Sequence, residues 1–583
     1  MGMPPYGVLM KRILIVAACA ALAACGGEVP PPPAPAVAPS AALAEHGKEF
    51  RQELIKVTDG VYVAVGYGIA NSILLDGTDG FIVVDTMETV EEAKIVNAEF
   101  RKITGAKPLK AIVYTHNHPD HTFGAAGYVQ PGEQPAIYAH EKVNEALDAL
   151  ITEFRPIINR RSLRMYGFWL SDDALGNQGI GPHLALRQGS TLSILRPTRT
   201  FKDRVEDTVA GIHFELHHAP GETDDTLFVW LPEKKTLLPG DNFYKAFPNL
   251  YTIRGTPYRS PRRWADSLDK IRALRPEVLV PSHTRPLAGA DAIQAALTDY
   301  RDAIRYVYDQ TVRGMNAGLT PDELAGQIRL PPHLAQSPNL QEFYGKPSWS
   351  ARMIFEGNVG WFDGNPTNLQ PLAPGDEARR IAELAGGAEV LGRKLEDAMA
   401  AQDWQWALQL SDYLLRLQPD DAPARDARVR ALTALGEAEA NPNARHYYLM
   451  SAIELKEGRS LPDRVALPTP EMLRQMPLAA FFNGMAVNLD GAAAAELTQS
   501  VGFEFTDTGE AWTVLIRRGV AEVRPGLTEP LDLRVKVPAQ VFKETLARLR
   551  NPAVSLVKDF EVTQGGKVAF LGFMKLFTPP DPS

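Results

Sequence analysis

The heptapeptide Thr115-His116-Asn117-His118-Pro119-Asp120-His121 brings three imidazoles and one carboxylate into six consecutive positions. An apolar run, residues 111–114, precedes it and is typical of a buried strand, so the four side chains share the loop where that strand ends. Imidazole nitrogens and carboxylate oxygens suit zinc, and four ligands this close suit two adjacent metal ions better than one. The heptapeptide therefore predicts a hydrolytic metal pair, with solvated loop histidines as the alternative.

Whole-chain composition bounds the class of protein. With 583 residues, of which 45% are hydrophobic, the chain is expected to fold as several globular domains. Its net charge is −9, its isoelectric point is near 5.8 and it has no dense basic run. These values argue against a nucleic-acid partner, and an anionic substrate would need a local basic pocket.

The N-terminus has the pattern of an export signal. Lys11-Arg12 precede an apolar segment, residues 13–24, that is too short to span a bilayer. The ending Leu22-Ala23-Ala24-Cys25-Gly26 resembles a bacterial lipobox. This resemblance implies cleavage before Cys25 and a lipid anchor on its thiol, hence an exported lipoprotein, with Gly26 favouring the outer membrane. A plain secretory signal is the alternative.

The N-terminal processing also bears on disulfides and on the next segment. The chain has two cysteines, and Cys19 would be lost with the signal, so no intrachain disulfide can form in the processed protein. The proline-rich run that follows favours an extended polyproline spacer. Residues 1–24 are therefore interpreted as a lipoprotein signal peptide and residues 25–45 as a tether.

From about Val57 the pattern changes to short β-type runs. Residues 61–65 and 81–85 read as strands, and residues 90–103 as a helix that leads to the strand before the heptapeptide. Strands that first form a hairpin and then alternate with helices predict a layered α/β architecture. Asp85, at a strand end, either orients a ligand histidine or simply forms a turn.

Three later segments each place a potential ligand beside a predicted strand. They are His217-His218-Ala219-Pro220-Gly221-Glu222-Thr223-Asp224-Asp225, Leu237-Leu238-Pro239-Gly240-Asp241-Asn242 and Val278-Leu279-Val280-Pro281-Ser282-His283. The succession of a histidine loop and single ligands at later strand ends resembles the metallo-β-lactamase superfamily, over about residues 57–308. That resemblance implies an αββα sandwich.

One departure narrows the resemblance. Most hydrolases of the superfamily have histidine where this chain has Glu222, in Pro-Gly-Glu-Thr, and this substitution is similar to that of the class-III alkylsulfatases. His218 is the alternative ligand at this point. The resemblance implies two zinc ions per chain, one held by His116, His118 and Glu222, the other by Asp120, His121 and His283, with Asp241 bridging them.

A substrate loop follows at residues 247–259. A sulfate ester carries negative charge on three oxygens, and the planar donors of arginine match them. In alkylsulfatases an Asn and an Arg of this motif bind the sulfate, so the resemblance assigns that role to Asn249 and Arg254. Arg259 and Tyr166 are further pocket candidates, although Tyr166 also suits a packed core. Asp120, His121 and Arg254 are the residues expected nearest the chemistry.

Two more domains are expected after the catalytic one. Thr320-Pro321-Asp322-Glu323 predicts a capped helix start, and residues 377–458 are helical and rich in Ala, Leu and Arg. Alkylsulfatases carry a helical dimerisation domain here, so a homodimer is implied, with packing inside one chain as the alternative. The predicted domains are 46–318, metallo-β-lactamase-like; 319–460, helical; and 470–583, α+β.

The last domain resembles the sterol-carrier type that ends alkylsulfatases. Residues 461–470 read as a linker, 472–489 and 538–550 as helices, and 501–523 and 531–537 as strands. Such domains have an apolar tunnel that could receive an alkyl chain, but a well-packed core explains the same residues.

The function implied is hydrolysis of alkyl sulfate esters by water that two zinc ions activate. A phosphoesterase or lactamase of the same fold is one alternative, since phosphate and sulfate esters both suit an arginine and metal site. A membrane-tethered lipid-binding module with an inactive metal domain is another.

Overall fold

The computed structural model describes residues 39–462 and 464–578, and two sheets form the centre of its first half. The first sheet has seven strands in the order β1-β2-β3-β4-β5-β6-β8, antiparallel from β1 to β4 and parallel from β4 onward. Its strands are Glu53–Thr58, Val61–Val65, Ser72–Asp76, Phe81–Val84, Leu109–Val113, Ala136–His140 and, as β8, Arg199–Phe201.

The second sheet has six strands in the order β14-β13-β12-β11-β10-β9. They are, from β9 to β14, Arg204–Val209, Ile212–His218, Leu227–Leu231, Thr236–Leu238, Val278–Leu279 and Leu287–Ala288. Side chains of both sheets share one buried cluster, in which Val63 and Ile73 of the first meet Phe214 and Val229 of the second. The two sheets therefore pack face to face as a sandwich.

Helices cover both outer faces of the sandwich. Val90–Thr104 buries Val96 and Phe100 against the first sheet, and Pro261–Ala273 and Ala290–Asn316 pack on the second through Trp264 and Tyr300. The αββα sandwich predicted from the sequence is thus confirmed. The remaining helices of this part are Ala41–His46, Pro119–Thr122, Val143–Ala149, Arg155–Met165 and Asp172–Leu175.

An all-helical region follows, as predicted. It begins at the capping box in which Thr320 and Glu323 exchange hydrogen bonds between side chains and backbone. Its helices are Pro321–Gln327, Pro332–Ala335, Pro347–Val359, Pro374–Ala385, Ala388–Ala400, Trp404–Leu417, Ala422–Ala438 and Pro442–Glu457.

The C-terminal region is α+β, which confirms the predicted class. Its sheet has the order β18-β17-β16-β19-β20, and the predicted inward face is buried at Val501, Phe503 and Phe505. The strands, from β16 to β20, are Thr498–Phe505, Ala511–Arg517, Val520–Pro525, Leu533–Val537 and Glu561–Gln564. The helices are Pro470–Gln475, Leu478–Val487, Ala539–Leu546, Pro552–Lys558 and Lys567–Lys575.

Two details of this region differ from expectation, and a third bears on the choice between a tunnel and a packed core. The helix predicted over 472–489 is two helices, because Pro477 lacks the N–H that a continuous helix needs. The expected linker contains the strand Ala466–Pro468 (β15), which pairs in parallel with Ser190–Leu192 (β7) of the N-terminal half. The interior is filled by edge-to-face and tilted rings around Phe482, Phe503 and Phe542, which favours a packed core over a tunnel.

The predicted signal peptide, Cys25 and most of the tether lie outside the described residues. The end of the tether does not: Ala41–His46 is a helix, and Leu43 is fully buried. Among the described residues, no helix combines the length and the apolar character that crossing a bilayer requires.

Candidate metal centre

Hydrogen bonds hold the histidine loop, residues 115–121, to the elements on both sides of it. The N–H of Thr115 donates to Asp85 Oδ1 at 2.9 Å, and Asn117 Nδ2 donates to Asp225 Oδ1. Pro119 then starts a one-turn helix that carries Asp120 and His121. The loop conformation is therefore set by contacts to the elements on either side.

Asp241 lies at the centre of the predicted ligands. Its Oδ2 is 3.2 Å from His283 Nε2, 3.5 Å from His121 Nε2 and 3.7 Å from His116 Nε2. Asp120 Oδ2 lies 3.3 Å from His121 Nε2 and 3.5 Å from His283 Nε2.

All seven predicted ligands come together. They form three overlapping groups, and within each group the ligand atoms lie within 4.8 Å of one another. The groups are His116, His121 and Asp241; Asp120, His121 and His283; and His118, Glu222 and Asp241.

Several of these atoms are buried without a hydrogen-bond partner among the described residues. They are His121 Nε2, His283 Nε2, Glu222 Oε2 and Asp241 Oδ1. An unsatisfied polar atom inside a protein costs about 1–3 kcal/mol, so four of them pointing into one cluster call for a ligand. Nitrogen and carboxylate oxygen atoms in this arrangement fit a pair of divalent metal ions.

Two histidine nitrogens also meet here. His116 Nε2 and His118 Nδ1 lie 2.8 Å apart in the buried cluster. On the far side of the ring, His118 Nε2 is 3.2 Å from Nη2 of Arg254. Arg254 therefore lies directly beside the cluster, where a guanidinium can bind an anion.

The outer nitrogens of two ligand histidines have fixed partners. His121 Nδ1 lies 2.7 Å from Asp85 Oδ2, and His283 Nδ1 lies 2.8 Å from the carbonyl oxygen of Ile69. A ring nitrogen next to these acceptors carries a hydrogen, so Nε2 of each ring faces the cluster and is the atom available to a metal ion. Of the two interpretations of Asp85, the contact supports orientation of a histidine.

Glu222 enters the cluster with one oxygen only. Its Oε1 accepts a hydrogen bond from Arg259 Nη1 at 2.6 Å, and the same Nη1 donates to the carbonyl of Asn249. Gly221 is required beside it, because a Cβ at that position would overlap the side chain of Asn242. Arg259 is thus a partner of Glu222, while its buried Nη2 has no partner among the described residues.

The side chain of Asn249 is fully buried, and both atoms of its amide have no hydrogen-bond partner among the described residues. Its backbone N–H donates to the hydroxyl of Tyr244 at 2.8 Å, which fixes the loop. Tyr166 packs with Tyr244 and Tyr344, and it lies near enough to Arg254 and Asp120 for both to act on its pKa, which burial raises. It therefore both packs and borders the site.

Charges inside the cluster are strongly coupled. Burial disfavours the imidazolium of His283, but Asp241 and Asp120 outweigh burial and raise its pKa to about 9. Burial raises the pKa of Glu222 to about 7, and Arg259 offsets only part of that rise. Burial also acts to raise the pKa of Asp120, but His121 and His283 lower it to about 2. Positively charged side chains and carboxylates are thus concentrated in one buried pocket.

The structure does not bring His218 into the cluster. Its ring stacks on His140 with centroids 3.9 Å apart, and its Nε2 is 2.8 Å from the carbonyl of Asp224. Residues that sequence reasoning missed include Tyr344, which borders Arg254, and Ser282, whose hydroxyl donates to Asp85. The position of Ser282 directly before His283 was the available signal.

Comparison with known proteins gives three family models along the chain. They are the metallo-beta-lactamase superfamily at residues 65–283, alkyl sulfatase dimerisation at 320–458 and alkyl sulfatase C-terminal at 466–583. A linear primary-alkylsulfatase of a Pseudomonas species is 40% identical over 482 residues, covering 79% of this chain and 90% of the relative.

The chain belongs to the alkylsulfatase family.

Two further alkylsulfatases are less similar in sequence. An alkyl/aryl-sulfatase of Saccharomyces cerevisiae is 28% identical, with 91% of this chain and 83% of the relative aligned. The solved structure of Pisa1, a stereoselective inverting sec-alkylsulfatase from a Pseudomonas species, superposes with a TM-score of 0.84 at 26% identity. The superposition covers 93% of this alkylsulfatase-family chain and 87% of the Pisa1 chain. The family predicted from Glu222 and the appended domains is confirmed.

Proposed function

We propose that this protein hydrolyses sulfate esters of alkyl alcohols, yielding an alcohol and sulfate, at a centre of two zinc ions. The observation that carries the proposal is the buried cluster around Asp241, whose unpartnered atoms lie beside Arg254 and Asn249. The names of the relatives support the substrate class.

The residues would divide the work in a simple way. His116, His118 and Glu222 would hold one ion and Asp120, His121 and His283 the other, with Asp241 between them. Two bound zinc ions supply Lewis acidity and lower the pKa of water at the site toward neutrality.

This chain's own groups bind the ester. The guanidinium of Arg254 and the unpartnered amide of Asn249 would donate to sulfate oxygens and offset the negative charge that grows as the ester bond breaks. Glu222 and Asp241 act as ligands rather than general bases, because coordination would occupy their lone pairs. Asp85 keeps the hydrogen of His121 on Nδ1.

The test is release of sulfate from dodecyl sulfate. Purified protein should release it, a chelator should abolish the release, and zinc should restore it. Dodecyl phosphate and a β-lactam are the parallel substrates: preferential turnover of either would replace the proposal by a phosphoesterase or a lactamase. Binding of dodecyl sulfate without chelator-sensitive release would favour a lipid-binding module. Turnover in ¹⁸O-labelled water assigns whether the S–O or the C–O bond breaks.

We also propose that the protein is a homodimer. The dimerisation model matches residues 320–458, and this region exposes large apolar side chains that a monomer would leave in water. Trp361 is 66% and Leu384 85% exposed, and Leu369 and Leu372 are exposed nearby in sequence.

Export and lipid anchoring at Cys25 complete the proposal. They rest on the N-terminal sequence pattern. Mass spectrometry of the protein from membranes would detect a diacylated Cys25; recovery of an unmodified, soluble mature chain would exclude the anchor.

A further inference from the structure

Glu88 is a buried carboxylate that the proposed chemistry does not use. The residue is 3% exposed, and its Oε1 accepts two hydrogen bonds, from the N–H of Ile69 at 3.0 Å and the N–H of Ala185 at 2.8 Å. Those N–H groups belong to two loops that are far apart in sequence. One carboxylate oxygen thus ties the loop after β2 to the loop before β7.

The same two loops hold His283. Its Nδ1 lies 2.8 Å from the carbonyl of Ile69 and 3.1 Å from the carbonyl of Ile180. Ile69 therefore donates to Glu88 through its N–H and accepts from His283 through its carbonyl. With its Nδ1 held by these carbonyls, His283 turns Nε2 toward Asp120 and Asp241, and Nε2 is the atom that would bind a metal ion after losing its hydrogen.

The turn that carries Glu88 is strained. Asp85 and Met87 have φ angles of +60° and +65°, in the left-handed region that residues other than glycine seldom adopt. Such strain persists where surrounding contacts over-determine it, and it concentrates at functional sites. Here the turn places two carboxylates three positions apart, Asp85 on His121 and Glu88 on the loops that hold His283.

We propose that Glu88 is a positioning residue for His283: through Ile69 and the 180–185 loop it fixes the ring that would hold one zinc ion together with Asp120 and His121. This inference rests on the proposed function. Asp85 and Glu88 are then two supports of the same metal position, one in contact with its histidine and the other acting through a peptide group.

Gly68 offers a second way to disturb this support. A Cβ at that position would lie 2.6 Å from Glu88 Oε2 and 2.8 Å from its Oε1. Gly68→Ala therefore displaces the carboxylate without removing it. Glu88→Gln removes the carboxylate without displacing the side chain, because an amide oxygen can accept both hydrogen bonds.

The experiment measures zinc retained by the full chain against a chelator of known affinity, with ions counted by mass spectrometry. Glu88→Ala and Gly68→Ala should each lower the affinity for one of the two zinc ions about 10- to 100-fold, the usual effect of losing a hydrogen bond that supports a ligand. Glu88→Gln should stay within about threefold of wild type. Glu91→Ala is the matched control, since Glu91 also accepts a backbone N–H, that of Thr191, away from the cluster.

The absorption of the cobalt-loaded protein gives a readout other than activity. Glu88→Ala and Gly68→Ala should change the absorption bands of one cobalt ion only, and Glu88→Gln should have the bands of wild type. If Glu88→Ala does not fold, Gly68→Ala and Glu88→Gln carry the comparison. Equal retention of both ions in all variants would overturn the role of Glu88 alone. A wild-type chain that takes up no zinc would overturn the proposed function instead.

Discussion

Oδ2 of Asp85 lies 2.7 Å from Nδ1 of His121, and both side chains are fully buried. The same carboxylate accepts hydrogen bonds from the N–H and hydroxyl of Thr115 and from the hydroxyl of Ser282. It thereby joins the start of the histidine loop, one ligand of that loop and the residue before His283. One carboxylate outside the cluster thus organises three segments of it.

Asp85→Asn should weaken metal binding. The amide would turn a donor toward at least one of the groups that now donate to the carboxylate, so His121 loses its fixed orientation. We expect a 10- to 100-fold loss of affinity for one zinc ion, measured by chelator competition. Asp76→Asn is the control, because the carboxylate of Asp76 pairs with the half-buried Lys107. Unchanged affinity in Asp85→Asn would contradict the orienting role.

Arg254 should be needed for turnover but not for metal content. Arg254→Ala and Arg254→Lys should both lower kcat/KM for dodecyl sulfate about 100-fold, because an ammonium cannot reproduce the paired donors of a guanidinium. Arg263→Ala, at an exposed arginine that pairs with Asp224, should behave like wild type. Full activity of Arg254→Lys would show that charge alone is sufficient.

The pair Glu222 and Arg259 should show strong coupling in stability. Both side chains are 1% exposed, so removal of either partner leaves a buried group unpaired. We expect Glu222→Leu and Arg259→Met each to destabilise the metal-free protein by about 3–5 kcal/mol, and the double variant by less than their sum. Urea unfolding in the presence of chelator measures this, and additive losses would argue against the pair.

Glu88 should give the metal-free protein a pH dependence. Burial raises the pKa of Glu88 to about 7, against 4.5 unfolded, and Asp120 adds to the rise, although the two N–H donors oppose it. The folded protein is then favoured by a neutral Glu88, and this stability, about 3 kcal/mol for a pKa difference of about 2.5, is lost as the pH rises from about 4.5 to about 7.

Glu88→Gln should remove that loss. Its unfolding free energy should match wild type at pH 4.5 and exceed it at pH 8, both measured with chelator present. Glu91→Ala should keep the wild-type slope. Parallel pH curves for wild type and Glu88→Gln would show that Glu88 does not titrate in this range.

The exposed apolar residues of the helical domain should control assembly. Trp361→Asp combined with Leu384→Asp should convert a dimer to a monomer, because each places a charge on a face that association would bury. Light scattering gives the mass. Val520→Asp, at a residue of the C-terminal sheet that is 61% exposed, is the control. A dimer that survives the double substitution would place the interface elsewhere.

Sequence reasoning predicted the fold and the side chains that come together around Asp241, because both rest on local patterns. Strand runs such as 61–65 and the unusual Glu222 are visible in the printed sequence, and family resemblance supplied their spatial relation. The supports were harder to find. Glu88 acts through the peptide of Ile69, and no side-chain pattern marks which backbone carbonyl a distant histidine will meet.

Errors arose where a tertiary contact overrode local preference. The stretch around Ala466 looked like a free linker because its prolines exclude regular helix, yet its backbone pairs with Ser190–Leu192. The pairing of Arg259 with Glu222 was not predicted, since only the folded loop brings its guanidinium onto that carboxylate.

The short parallel pairing of Ala466–Pro468 with Ser190–Leu192 has a practical consequence for dissecting this protein. A truncation after residue 460 would strip a neighbour from the catalytic half and leave its hydrogen-bonding groups facing solvent, inviting self-association. Chimeras that exchange C-terminal domains between alkylsulfatases should therefore be joined after Pro468, so that this strand and its partner come from the same parent.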